Sequence, residues 1–439
     1  MSGFAVAGLG FLAMLALIGL RMPVGLAMLL TGSVGYVYLA NALAFLNYMK
    51  STPFFLFSNY TLSVIPLFIL MGAFAERSGL ATDLFRAASG FLGHLRGGLA
   101  MAVIGACTGF GAICGSSVAT TATFGRAALP ELRRYRYGEG LATGVIAVGG
   151  TLGILIPPSV ILVVYAISTE QNIAKLFQAA LIPGLLAALF YCIVIAIVVR
   201  RDPAAGPAHA PMSAHERWRA LLLVWPALVV AVVVVGGIYG GIFTPTEGAS
   251  VGAVSMFALG VLRGSLPWRE IKASLLQTAE TSALIFAILL GAEVFNAFLA
   301  LSRLPTEAAS FLGQTGLPPY AILVALLAFY ILLGAVMDEL AMILLTLPVF
   351  FPIVSALDFG LPADEVAIWF GILVLVVVGI GLTAPPIGLN VFVVSAIARD
   401  VPITTTYRGV LPFILADLVR LALCVAFPAL SLALVRWLA

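Results

Sequence analysis

Two apolar stretches of this chain each carry glycines followed by a pair of consecutive prolines. The first is GGTLGILIPPSVILVVYAIS at residues 149–168, and the second is GIGLTAPPIGLNVFVVSAIA at residues 379–398. Both are long enough to cross a membrane, but consecutive prolines remove backbone donors and clash with the preceding helical turn. We therefore predict two broken helices. Because irregular backbone persists in hydrocarbon only inside protein or beside a watery cavity, the breaks indicate binding sites.

The composition restricts the class of protein. The chain has 439 residues, of which 62% are hydrophobic and only 9% are charged, and its net charge is +3. Soluble domains do not have this balance, so we predict an all-α polytopic membrane protein. A basic tract of the kind that binds nucleic acid is absent, and the expected surroundings of the chain are therefore a lipid bilayer.

The order of elements in the first half of the chain recurs in the second half. We predict a first repeat over 1–199, a linker over 200–219 and a second repeat over 220–439. The predicted parts of the first repeat are spans at 4–20, 22–40 and 53–75, a lateral helix at 76–98, a re-entrant hairpin at 99–125, a broken helix at 141–166 and a span at 181–199. Those of the second are spans at 221–240, 245–262 and 275–300, a lateral segment at 304–320, a hairpin at 321–356, a broken helix at 366–398 and a span at 411–435.

Charges beside the two hairpins predict opposite orientations. Lys and Arg concentrate on the cytoplasmic side of membrane proteins. The first hairpin is basic on both flanks, with Arg96 before it and Arg126 after it, whereas the second is flanked by Asp358 and Asp364 and by no Lys or Arg. The hairpins should therefore enter from opposite sides, with the N terminus in the periplasm. This is the inverted-repeat plan of secondary transporters, which bind their cargo near the midplane.

Polar residues at the first tip and first break are candidate ligands. They are Gly115, Ser116, Ser117, Thr120, Thr151, Gly153, Pro157 and Ser159. Carbonyl and hydroxyl oxygens at the end of a half-helix suit a desolvated monovalent cation such as Na⁺, and the amide donors of the opposite end suit a carboxylate. Close packing of small residues, which is common in membrane helices, is the alternative for any one of these positions.

Acidic residues distinguish the second tip. The candidates there and at the second break are Met337, Asp338, Glu339, Ala341, Thr383, Ala384, Pro385, Gly388 and Asn390. Acids embedded in a membrane are energetically costly and usually functional, although Glu339 could instead point into a cavity or pair structurally.

Arg303, which ends a span, either anchors the chain at the interface or receives an anionic substrate.

Four segments resemble the large membrane subunit of tripartite ATP-independent periplasmic (TRAP) transporters, the DctM-like family. They are GSSVATTATFG, GTLGILIPPSVILVVYAIS, MDELAMILLTLPVFFPIV and GLTAPPIGLNVFVVSAIA. The resemblance implies an elevator-type importer of organic acids, such as C4-dicarboxylates or sugar acids, in the bacterial inner membrane. It also implies a Na⁺ gradient as the driving force, with two or more Na⁺ sites. The implied partners are a small four-helix membrane subunit and a periplasmic substrate-binding protein.

The resemblance also implies roles for single residues. The Na⁺ ligands would be Gly115, Ser116, Thr120, Gly153 and Pro157 in the first half, and Asp338, Thr383, Ala384 and Gly388 in the second. The substrate contacts would be Ser116, Ser117, Ser159, Arg303, Asp338 and Asn390. Many relatives carry an acid where this chain has Thr120, which leaves the number of ions open.

Two other classes of protein remain as alternatives. A stand-alone ion or proton antiporter of similar architecture would need no binding protein, and Asp338 or Glu339 would carry its proton. An intramembrane enzyme would need a nucleophile–base pair or a metal constellation. Since none of the three histidines lies in a predicted span, and the four cysteines show no metal-binding spacing, we do not expect an enzyme.

Overall fold

The described part of the chain is helical. The computed structural model describes residues 3–304, 306–308, 310 and 316–438, and these contain no β-strand. Seven of the described helices are long and apolar enough to cross a membrane, and one bent pair makes an eighth candidate span. The prediction of an all-α polytopic membrane protein is confirmed.

The first half of the chain forms helices α1 to α10. They are α1 Gly3–Gly19, α2 Val24–Leu39, α3 Ala42–Phe57, α4 Val64–Arg77, α5 Leu80–Leu92, α6 Gly98–Cys114, α7 Ser117–Arg134, α8 Glu139–Leu155, α9 Val160–Ser168 and α10 Ile173–Arg201. The span predicted at 53–75 starts later than expected, because α3 ends at Phe57 and the candidate span runs from a 3₁₀ turn at Tyr60–Ser63 through α4 to Arg77. The side chain of Asn59 caps that turn by accepting a hydrogen bond from the Thr61 amide at 2.9 Å.

The second half forms helices α11 to α19. They are α11 Ala214–Tyr239, α12 Pro245–Leu262, α13 Trp268–Ser302, α14 Pro319–Gly334, α15 Glu339–Ser355, α16 Ala363–Gly381, α17 Leu389–Ile397, α18 Ile403–Ala426 and α19 Ala429–Leu438. The lateral segment predicted at 304–320 lies partly outside the described residues.

Two predicted boundaries in this half differ from the structure. The linker is shorter than 200–219, since α10 continues to Arg201 and Ser213 begins α11 through a capping box with Glu216. In such a box the side chain of each residue accepts a hydrogen bond from the backbone amide of the other. This pair therefore begins the helix before the predicted end of the linker. The final span predicted at 411–435 is divided at Pro428, between α18 and α19.

The helices pack as two groups, and each half of the chain contributes to both. One group, here the α13 group, consists of α1, α2, α4, α11, α12 and α13. The other, the α8 group, consists of α6 to α10 together with α14 and α16 to α19. Helix α15 contacts α13 on one side and α9 and α16 on the other. The first hairpin through α6, the first broken helix through α9, and the second hairpin through α15 therefore lie at the boundary between the two groups.

Candidate functional site

The first hairpin turns at Gly115 and Ser116, between α6 and α7. Gly115 has a φ of 65°, a left-handed conformation that glycine adopts without a steric penalty. The Ser116 hydroxyl accepts a hydrogen bond from the Ala119 amide at 3.4 Å, and the Ser116 carbonyl accepts one from the Thr120 hydroxyl at 2.7 Å. This turn therefore presents oxygen atoms of both the backbone and the side chains.

The first broken helix lies directly against that turn. Helices α8 and α9 are bent by 45° relative to each other. A Cβ atom on Gly153 would overlap the Thr120 hydroxyl and would lie 2.5 Å from the Ser116 carbonyl oxygen, so only glycine permits this approach. A Cβ atom on Gly115 would lie 3.0 Å from the Pro158 carbonyl oxygen. The structure thus brings together four predicted Na⁺ ligands: Gly115, Ser116, Thr120 and Gly153.

The connection between α8 and α9 is buried over all four of its residues, including Pro157 and Ser159. Ser159 is completely buried, and its hydroxyl oxygen has no hydrogen-bond partner in the described part of the chain. Buried hydroxyl groups without a partner are uncommon in native proteins. The Ser159 hydroxyl therefore has unused hydrogen-bonding capacity, and its role as a substrate contact stays a prediction.

The second tip is held together by the carboxylate of Asp338. Its Oδ1 accepts hydrogen bonds from the amides of Leu340 and Ala341 at 3.1 and 3.0 Å, and so caps α15. The second break contacts the same tip, since the amides of Ile387 and Gly388 donate to the carbonyl oxygen of Ala335 at 3.2 and 3.4 Å. Asp338 and the break at 382–388 therefore belong to one local structure.

Thr383 and Ala384 extend the last turn of α16 towards this break. The Thr383 hydroxyl donates to the carbonyl oxygen of Ile380 at 3.0 Å, and the Ala384 amide donates to the same oxygen at 2.9 Å. Gly388 has a φ of 56°, which favours glycine at the start of α17. The next residues beyond Ala384, Pro385 to Ile387, are exposed.

A hydrogen bond joins the two hairpin tips. The Ser117 hydroxyl donates to Oε2 of Glu339 at 2.8 Å, across 222 residues of sequence. Beside this bond lies a crevice of about 160 Å³ between the tips, α4, α9 and α13. Its polar lining residues are Glu76, Ser116, Gln277, Thr281 and Glu339. Both tips thus face one small space at the boundary between the two helix groups.

The two broken helices also contact each other, on the other side of the first tip. The Asn390 amide group donates to the carbonyl oxygen of Ala147 at 3.2 Å, while its own carbonyl oxygen is buried without a partner in the described part. Thr121 is buried beside Gly150, and its hydroxyl is likewise unpartnered there. Sequence reasoning missed Thr121. Its position four residues after Ser117, on the same face of α7, is the one signal that could have identified it.

Arg303 is not close to the other predicted substrate contacts. It ends α13 with a φ of 61° and its side chain is exposed. Thr281, which lines the crevice, lies in the same helix, 22 residues before Arg303. At about 1.5 Å per residue this corresponds to roughly 33 Å. Arg303 therefore does not contact a solute in the crevice in this conformation, and its position fits the interfacial alternative.

A second crevice, of about 330 Å³, lies further along the same helices. Helices α9, α13 and α15 line both spaces: Thr281 and Ile285 of α13 face the first, and Leu289 and Ala292 face the second. The second crevice is more polar, and its polar lining residues are Asn59, Ser168, Thr169, Glu170, Glu293 and Asn296. A discontinuous path therefore follows the boundary between the two groups.

The comparisons with known proteins agree on one family. The family model described as "Tripartite ATP-independent periplasmic transporter, DctM component" matches residues 11–430. The C4-dicarboxylate TRAP transporter large permease protein DctM of Pseudomonas aeruginosa is 40% identical over 384 residues, which is 87% of each chain. The ectoine TRAP transporter large permease protein TeaC of Halomonas elongata is 31% identical over 377 residues, which is 85% of each chain.

A solved structure shows the same fold. The Alcanivorax borkumensis YdaH transporter superposes with a TM-score of 0.65 over 89% of this chain and 90% of its own, at 16% sequence identity. The relatives are named as permease subunits of transporters and not as enzymes. The chain is thus a multi-pass membrane protein of secondary transport, and it belongs to the DctM family, the large permease subunit of TRAP transporters.

Proposed function

We propose that this chain imports a small organic acid into the bacterial cell by coupling it to the Na⁺ gradient. The observation that carries the proposal is the convergence of both hairpin tips on one crevice, joined by the bond from Ser117 to Glu339. Helix ends, hydroxyl groups and a carboxylate are the groups with which membrane transporters bind ions and anionic solutes.

The chemistry of the ligands supports Na⁺ as the coupling ion. At the first tip the available atoms are the hydroxyl and carbonyl oxygens of Ser116 and Thr120, which are neutral. At the second tip the carboxylate of Asp338 adds one negative charge. In the described residues no three His, Cys, Asp or Glu side chains come together as a divalent metal would require. Neutral oxygens with one acid fit a monovalent cation better.

The two helix groups support an elevator mechanism. In our proposal the α13 group stays fixed, and the α8 group carries the tips, breaks and cargo past it. The second crevice lies further along α13 than the crevice between the tips, so it would be an approach to the site from one side. Na⁺ binding would order the tips and raise the affinity for the solute, which couples the two cargoes thermodynamically.

The proposed setting follows the family. The family description and the names of the relatives refer to tripartite systems. We therefore propose that a periplasmic binding protein delivers the solute and that a small four-helix membrane subunit packs beside this chain. The membrane would be the bacterial inner membrane, with the N terminus in the periplasm.

Uptake by the reconstituted system tests this proposal. Proteoliposomes containing the chain with its small subunit would receive solute-loaded binding protein in an inward Na⁺ gradient, and a matched sample would contain K⁺ instead. We expect uptake only with Na⁺ and only with the binding protein. Equal uptake in K⁺ would refute Na⁺ coupling. Uptake without the binding protein, together with proton movement, would favour the antiporter alternative.

A further inference from the structure

The carboxylate of Glu339 is an acidic group at the crevice that no described cation neutralises. Its Oε2 accepts the Ser117 hydrogen bond, and neither Glu339 nor Asp338 forms an ion pair with a described Lys, Arg or His. An uncompensated charge at membrane depth is costly. Glu339 is therefore a group for which a partner from outside the chain would be favourable.

The remaining lining of the crevice does not supply that partner. Among its described lining residues there is no Lys or Arg, and the second acid, Glu76, is already paired with Arg126 at 3.1 Å. Gln277 donates to Glu76 at 3.5 Å, and Thr281 contributes a neutral hydroxyl. The side of the crevice next to Glu339 is therefore negative. A solute with a carboxylate at both ends would place like charges side by side there.

The N-terminal end of α9 also lines the crevice. Val160 and Ile161, the first two residues of α9, line it. The N-terminal end of a helix carries free amide donors and the positive end of the helix dipole, which favour an anionic group. The buried, unpartnered hydroxyl of Ser159 directly precedes this helix. The lining of the crevice thus includes both the N-terminal end of α9 and the carboxyl group of Glu339.

We propose that Glu339 determines the charge of the substrate, and that the crevice takes a zwitterion rather than a dianion. The carboxylate of the solute would face α9, and an ammonium or other cationic group would face Glu339. This inference rests on the proposed function, because it assumes that the crevice between the tips holds the solute. On this inference, the substrate of this chain differs in charge from the C4-dicarboxylates for which the Pseudomonas aeruginosa relative is named, although the two chains are 40% identical.

The volume of the crevice limits the solute to a small molecule. About 160 Å³ is below the range of roughly 300 Å³ and more that is typical of pockets for drug-sized ligands. Four- and five-carbon amino acids are of suitable size, and each has a dicarboxylate of the same chain length. Such pairs differ in charge at one end and little in shape, which makes them the appropriate probes.

The test measures binding of two matched pairs to the purified full-length protein in Na⁺. The pairs are 4-aminobutyrate with succinate, and 5-aminopentanoate with glutarate, and affinity is obtained from the shift of Tm with ligand concentration. In the wild-type protein we expect each amino acid to bind at least about tenfold more tightly than its dicarboxylate. In Glu339→Gln, whose amide oxygen still accepts the Ser117 hydrogen bond, this preference should fall about tenfold, since the negative charge is lost.

Two further variants separate charge from structure. Glu339→Asp keeps the charge and should keep the preference. The control is Asp364→Asn, an exposed residue of α16 that lines neither crevice, and it should leave the preference unchanged. Equal or tighter binding of the dicarboxylates by the wild-type protein would overturn the inference. It would also be overturned if Glu339→Gln kept the preference or if no probe bound. Repeating the titrations in K⁺ keeps the two proposals apart, because a charge preference without Na⁺ dependence would contradict only the coupling.

Discussion

The two hairpin–break pairs share one design but differ in burial and charge. The connection at the first break, residues 156–159, is buried throughout, whereas Pro385 to Ile387 at the second break are exposed. The first tip carries neutral hydroxyl groups, and the second carries Asp338 and Glu339. The difference indicates that close packing fixes the first pair, while the second depends on charge and on a few hydrogen bonds.

The side chains that brace the two breaks show the same contrast. Behind the first break, the Thr151 hydroxyl lies 3.1 Å from the Tyr191 hydroxyl, which donates to Asp417 at 2.7 Å. Asp417 in turn lies 2.9 Å from Arg420, and both are buried. At the second break a half-buried tyrosine, Tyr407, donates to the carbonyl oxygen of Pro386 at 2.9 Å. A buried ionic network therefore supports one break, and a single hydroxyl group of a half-buried residue supports the other.

The largest effect is expected from breaking the buried network. Arg420→Met would leave Asp417 buried without its cation, so it should lower the free energy of unfolding by about 3–5 kcal/mol. The matched control is Arg436→Met, since Arg436 is exposed and its partner Glu365 lies 2.6 Å away. A surface pair contributes only about 0–1 kcal/mol. Thermal unfolding of both variants in detergent measures the difference, and equal losses would contradict the contrast in burial.

The second largest effect concerns the close approach at the first break. Gly153→Ala would place a methyl group against Thr120 and Ser116, and overpacking of this kind costs about 1–3 kcal/mol. We also expect Na⁺-driven uptake to fall at least about tenfold, because the ligands would be displaced. Gly105→Ala, in α6, is the control, since a Cβ there would meet no atom within 4 Å. Normal uptake by Gly153→Ala would show that this packing does not form an ion site.

The sequence predicts features that depend on neighbouring residues better than features that depend on contacts between distant residues. Consecutive prolines act on neighbouring backbone, and the helix breaks lie at both predicted pairs. High hydropathy concealed the helix end at Ala426, because apolar residues continue through it. The end at Phe57 was readable, since the polar residues Ser58 and Asn59 follow it. The capping box at Ser213 and Glu216 was readable but was assigned to the linker.

Contacts between distant residues could not be predicted in detail. The bond from Ser117 to Glu339 spans 222 residues, and nothing local to either residue specifies its partner. The same holds for Thr121, which becomes notable only beside Gly150. The inverted orientation of the two halves and the Na⁺ ligands remain predictions.

At the second tip, the charge and the capping role of Asp338 can be separated. Asp338→Asn keeps a good N-cap but removes the charge, so we expect near-normal stability and a roughly tenfold higher Na⁺ concentration for half-maximal uptake. Asp338→Ala should show the same Na⁺ effect and also lose about 1 kcal/mol of stability, because the cap is lost. If Asp338→Asn behaves like the wild type, the carboxylate only caps α15.

The smallest effect concerns a surface link between the first hairpin and the end of the second broken helix. Asp400 lies 2.8 Å from Arg133, and hydrogen bonding to this guanidinium lowers the pKa of Asp400 below its ordinary value. A lowered carboxyl pKa stabilises the folded state above the ordinary pKa, and the stabilisation is lost as the pH falls through the lowered value. Asp400→Asn should therefore be slightly less stable near neutral pH and indistinguishable from the wild type at acidic pH. A constant difference in Tm across this range would contradict the link.

A double-mutant cycle across the two tips is the most direct test of the central claim that they form one site. Solute affinity would be measured for the wild type, Ser117→Ala, Glu339→Ala and the double variant, because each single change removes one partner of the bond. Because the two side chains share a hydrogen bond at 2.8 Å, we predict non-additive effects with a coupling of about 1 kcal/mol, roughly fivefold in affinity. Strictly additive effects would mean that the tips act independently, and the single shared site would then be wrong.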